Sequence, residues 1–248
     1  MSTVAQVAQI VRPFLDRYPD FALVGRSVVM KPIRHLMRSF FIDRTSGKGY
    51  IQTSWNVSAM FGPSPRHVVS TGARMVAGVG FVDNPDTQAR LLAAMEQVAS
   101  DIFHDSSIDA LPALAWRAEP VFGPGALIQA MPLLARGRFS DAVPYVQQTL
   151  TRVRDAIEER KRSPGTHRSL HGQLAKMDAH AIERMLPMQA GLKTLLDRLN
   201  GGDPRAVAAL LHEWEAAAVK AEKVEHLWEP SSFPFEVSGN SSELGAGD

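Results

Sequence analysis

An α+β fold is predicted for this chain of 248 residues: an N-terminal helix plus a three- or four-stranded antiparallel sheet, followed by an all-helical C-terminal half. Three observations predict it. The spacing of apolar residues changes from about 3.6 to 2 after the first seventeen residues and returns to about 3.6 after Pro85. Gly, Pro, Asn and Asp cluster where the period changes. The composition, 45% apolar and 21% charged, is that of an ordinary globular protein with enough chain for one large domain or two smaller ones.

Val4, Val7, Ile10, Val11, Phe14 and Leu15 lie at helical spacing, which predicts an amphipathic helix over 3–17 with a kink at Pro13. Phe21 to Met30 reads as one short strand. Arg34 to Arg44 is aromatic and branched, and Tyr50 to Phe61 alternates apolar odd positions with polar Gln52, Ser54, Asn56 and Ser58. These two segments predict an antiparallel hairpin closed by Thr45 to Gly49. A further strand is expected at Met75 to Val82, beyond the Gly62 to Pro65 loop. Leu91, Leu92, Met95, Val98, Ala99 and Ile102 then predict a helix with Asp86 as its N-cap.

Pro112, Pro120, Pro124, Gly123 and Gly125 make 106–125 a connector with at most short helical pieces. Helices are expected at 125–136, 139–162, 167–199 and 204–228, kinked or interrupted at Pro132, Pro144 and Pro187. The expected organisation is a sheet domain over 1–105, the connector over 106–125, a helical region over 126–229 and a mostly disordered tail over 230–248. A single fused domain, with helices covering the sheet, is the alternative. Leu134 to Leu150 resembles the helix–turn–helix joint of a tetratricopeptide repeat, where a small residue ends one helix and an Ala packs in the next. The resemblance covers this one joint and implies a helical hairpin; no second copy follows at the repeat period.

Charge is unevenly distributed. Arg26, Lys31, Arg34, Arg38, Arg44, Lys48, Arg66 and Arg74 face a single acid, Asp43, between Gly25 and Phe81, whereas the whole chain has 27 basic and 26 acidic residues. Such a split predicts either a basic surface for an anionic partner or attraction between two parts of the molecule. Pairing Ile42 with Ile51 would set Arg38 opposite Trp55, where the guanidinium stacks on the ring or its stem covers the core edge. The other face would gather Ser39, Gln52, Ser54 and Asn56 beside His35, Arg34, Arg66 and His67. The expected binding residues are therefore Arg34, His35, Arg38, Gln52, Trp55, Asn56, Arg66 and His67.

No local motif assigns a reaction. The absence of cysteine excludes disulfides, thiolate metal sites and a cysteine nucleophile. Gly47-Lys48-Gly49 lies in a hairpin turn and lacks the helix N-terminus of a phosphate loop. His167 and His171 are four apart, with Asp178 and His180 further on, but lack the intervening glutamate of a zinc-protease helix, so no metal or cofactor is expected. The neighbours His212 and Glu213 point apart on a helix. The expected function is a non-catalytic cytoplasmic binding protein whose basic sheet face engages an acidic protein surface. The alternatives are an enzyme or small-anion-binding protein with a His/Arg pocket between sheet and helices, and nucleic-acid binding through Phe40, Phe41, Tyr50 and Trp55. No signal peptide and no membrane span are expected, since no apolar run approaches ~20 residues. The sequence leaves the oligomeric state open.

Overall fold

The structure is a computed structural model that describes residues 3–44, 49–64, 69–104, 106–117, 125–162 and 171–240. It divides into two compact units, each assembled from separated stretches of the chain. The first takes Met1–Met60, Val69–Phe122 and Glu222–Ser231; the second takes Phe61–Val68, Gly123–Ala221 and Ser232–Asp248.

In the first unit, α1 (Val4–Arg17) starts at a capping box in which Thr3 Oγ1 accepts from Gln6 N–H at 3.2 Å and Thr3 N–H donates to Gln6 Oε1 at 2.8 Å. Pro13 lies inside the helix without ending it. The sheet has five strands rather than three or four: β1 (Phe21–Val24), β2 (Ser27–Met30), β3 (Leu36–Arg44), β4 (Tyr50–Ala59) and β5 (Val69–Phe81), antiparallel and in sequence order. The extra strand arises because Phe21 to Met30 is a hairpin. Gly25, at φ 61, supplies the left-handed turn residue that a period-2 reading passes over.

The β3–β4 hairpin keeps the expected faces but not the expected register. Arg44 pairs with Ile51, Phe40 with Trp55 and Arg38 with Val57, so every partner moves by two. A two-residue shift preserves side-chain direction, whereas a one-residue shift would have inverted the sheet. β5 begins earlier than expected. It bulges where Ile51 pairs with Gly80 but Thr53 pairs with Met75, which leaves Val76 86% exposed.

On one face, Phe40 meets Phe14 of α1 at 5.8 Å between ring centroids and Phe103 at 4.8 Å, and Phe21 joins them. The helix α2 (Pro85–Val98) packs against β5 and runs into a π-turn, Ala99–Phe103, which delivers Phe103. The N-cap of α2 is Asn84, not Asp86. Asn84 Oδ1 accepts from Asp86 and Thr87 N–H at 2.8 and 3.4 Å, and Pro85 occupies the first helical position, where its missing N–H costs nothing. A 3-10 turn, Ile108–Ala110, and α3 (Leu111–Arg117) lie within the expected connector.

The second unit is helical: α4 (Gly125–Ala135), α5 (Phe139–Arg162), α6 (His171–Asn200), α7 (Pro204–Glu222) and α8 (Pro234–Asn240). The last falls within the stretch expected to be mostly disordered. Pro132, Pro144 and Pro187 sit inside helices that continue through them. The predicted α4–α5 hairpin forms. Arg138 N–H bonds Leu133 O at 2.9 Å and Gly137 N–H bonds Leu134 O at 3.1 Å, which satisfies the last carbonyls of α4, and Ala142 is fully buried. The mixed charges near the end of α5 are solvated, and the Lys161 ammonium, bonded to Glu158 at 3.0 Å, holds that carboxyl below its ordinary range.

Gly72 stands where no side chain fits, since an added Cβ would lie 2.1 Å from the Trp55 carbonyl oxygen and 2.6 Å from Asn56 Oδ1. Gly72→Ala is expected to destabilise the protein by about 2–3 kcal/mol in urea unfolding, through displacement of the β4–β5 ladder.

Candidate functional site

A pocket of 350 Å³ opens in the first unit, between 30–38 and 103–108. That size lies near the lower end of the ~300–1,000 Å³ of small-molecule sites. Its walls carry Lys31, Arg34, His35, Arg38 and His104 together with Met30, Leu36, Phe103 and Ile108, and none of its lining residues is acidic among the described residues.

Arg38 reaches it from the helix-covered face of β3. Alternation along the strand puts Arg38 on the same face as Phe40, and the Phe40–Phe103 contact brings the segment after the π-turn beneath it. There Arg38 Nε donates to Ser106 Oγ at 2.5 Å and Arg38 Nη2 donates to the Ser106 carbonyl. Ser106 is buried, and its hydroxyl donates in turn to Phe103 O at 3.0 Å. These contacts use part of the guanidinium's five N–H groups. No carboxylate pairs with Arg38 among the described residues, and burial pulls its pKa below the ordinary arginine value. A partly desolvated cation that pairs with no described carboxylate is costly, and an anion brought against it would relieve that cost.

Arg34 and His35 are placed by the stretch just before β3. Ile33 forms a parallel bridge with Trp228: Ile33 N–H bonds Leu227 O and Glu229 N–H bonds Ile33 O, each at 2.8 Å. Consequently Arg34 Nη2 meets Glu229 Oε1 at 3.2 Å, and buried His35 has Nε2 3.2 Å from Ser231 Oγ. Residues 222–231 thus return to the first unit and supply two partners to its basic loop.

The other expected residues lie elsewhere. Trp55 is buried in the core opposite Phe40, so the Arg38–Trp55 stack is overturned by the register. Gln52 and Asn56 are half-buried on the opposite sheet face from Arg38, in line with Ser54 and near exposed Arg74. Arg66 and His67 lie outside the described residues. Of the four aromatics considered for base stacking, Phe40 and Trp55 are buried and Phe41 is 38% exposed, while Tyr50 is half-buried edge-on to Phe81. Lys31, His104, Ser106, Glu229 and Ser231 are not among the binding residues expected from the sequence. Lys31 belonged to the basic cluster and His104 has an acidic sequence neighbour, which on a helix would point away, but Ser106, Glu229 and Ser231 carry no local signal.

The second unit has a larger pocket, of 1050 Å³, between α7 and the α8 segment. His212, whose sequence neighbour is Glu213, instead sets Nε2 2.9 Å from Glu236 Oε2, and that oxygen also accepts from Phe233 N–H at 2.7 Å. The pair caps and anchors the short α8. Among the described residues there is no cluster of three metal-ligating side chains, and no helix is long and apolar enough to cross a membrane. No family model, curated protein or solved structure matches the chain.

Ser106 is the hinge of the Arg38 geometry. Ser106→Ala is expected to lower the unfolding free energy by about 1.5–3 kcal/mol, the range for a hydrogen bond to a charged group. In an Arg38→Met background the same substitution should cost much less, a coupling that a double-mutant cycle in urea reads directly.

Proposed function

We propose that the first unit binds a small molecule through an oxyanion, a phosphate or a carboxylate, held by Arg38 with Arg34, His35, Lys31 and His104 around it. The observation that carries this reading is the partly buried Arg38 guanidinium, fixed by Ser106 in a pocket whose described lining residues include several basic side chains and no acidic one. Two of its N–H groups are spent on Ser106, and the remainder are the donors a planar oxyanion edge requires. The apolar side chains of Met30, Leu36, Phe103 and Ile108 lower the local dielectric and strengthen such a contact.

This is the small-anion alternative drawn from the sequence. An acidic protein surface would need the basic residues on one open face, and the described ones are divided. Arg38 points to the helix-covered side of the sheet, Arg74 lies exposed on the other, and Arg26 donates to Ile42 O at 2.7 Å beside the β1–β2 turn.

Inorganic phosphate is expected to raise the thermal midpoint of the protein, because a ligand that binds only the folded state stabilises it. Arg38→Met should keep the fold, remove that stabilisation and weaken phosphate binding by about tenfold or more in calorimetric titration. Equal phosphate affinity in the wild type and Arg38→Met would overturn the reading. Added sodium chloride should weaken binding by competition and screening.

A further inference from the structure

Arg34 and Arg38 line the same pocket with opposite electrostatic histories. Arg38 meets no carboxylate among the described residues, whereas Arg34 already holds one, Glu229 Oε1 at 3.2 Å. We infer that Glu229 is a built-in competitor for the ligand: its carboxylate occupies Arg34 in the free protein and gives way when an oxyanion reaches that guanidinium. The inference rests on the oxyanion reading of the pocket and adds how its occupancy is set.

The geometry suits exchange. The Arg34 and Glu229 side chains are 57% and 55% exposed and meet through one N–O contact, the kind of pair that holds weakly in water. The backbone beneath them is fixed, since Glu229 N–H bonds Ile33 O and Ile33 N–H bonds Leu227 O. The carboxylate is therefore kept within reach of Arg34 at high effective concentration, while its release needs only a side-chain rotation. Two residues on, Ser231 holds His35 at the pocket wall, so the segment retains its place after Glu229 lets go. A ligand must therefore outcompete a tethered carboxylate at Arg34 while meeting no such rival at Arg38 among the described residues.

The test is calorimetric titration of inorganic phosphate into four proteins: wild type, Glu229→Gln, Arg34→Gln and the double variant. Both positions are largely solvent-exposed, and circular dichroism verifies that each variant is folded. Glu229→Gln is expected to tighten phosphate binding by about two- to fivefold in the wild-type background, the worth of an exposed ion pair. In the Arg34→Gln background, where binding continues through Arg38, it should change affinity little. Equal tightening in both backgrounds would mean that Glu229 acts as a distant charge and would overturn the inference while leaving the pocket reading intact. Unchanged or weaker binding by Glu229→Gln alone would overturn it in the same way. Absence of phosphate binding by all four proteins would overturn the pocket reading itself, and the competitor with it.

Discussion

The contact between Phe40 and Phe103 sets the geometry of the first unit. Phe40 occupies the centre of the middle strand, and Phe103 ends the π-turn after α2, so their rings fix where the helical layer meets the sheet. Everything at the pocket follows from counting outward. Two residues back along β3, on the same side, stands Arg38; three residues beyond Phe103 stands Ser106. A strand repeat and a tight turn thus converge on one polar contact. The aromatic rings supply the apolar area that makes this position rigid, and Ser106 offsets part of the cost of bringing a guanidinium beneath the helices.

The two arginines of the pocket sit in contrasting surroundings, and the proposed site would draw affinity from one and restraint from the other. Arg38 is preorganised and partly desolvated, so its attraction for an anion is little screened by solvent. Arg34 is exposed and neutralised by a residue that arrives from nearly two hundred positions away. Holding a partly buried Arg38 that pairs with no carboxylate among the described residues costs stability, a trade that the proposed binding role would explain.

The fold was largely legible where periodicity is strong. The alternation of β4 and the 3.6 spacing in α1 and α2 identified these elements, because burial of one face is a local property of the sequence. The Phe21 to Met30 hairpin was missed because two short strands sharing a Gly turn look like one longer strand. The β3–β4 register was missed because a shift of two leaves the alternation unchanged. At the pocket, Arg34, His35 and Arg38 were visible as part of a charge cluster. Their partners Ser106, Glu229 and Ser231 were not, since each reaches its arginine or histidine through tertiary pairing that no local spacing encodes. Trp55 was drawn into the site by an expected stack and belongs to the core.

The interleaved segments have a consequence for biosynthesis. On the ribosome the five strands and α2 emerge early, but Trp228, Glu229 and Ser231 follow only after α4 to α7 have been translated. The nascent first unit must wait with its Ile33 backbone groups unpaired and its basic loop uncovered until residue 231 clears the exit tunnel. Contacts between residues so distant in sequence carry a large loop-closure cost, so pairing of the 224–231 segment with Ile33 is expected to come late in the folding of the first unit.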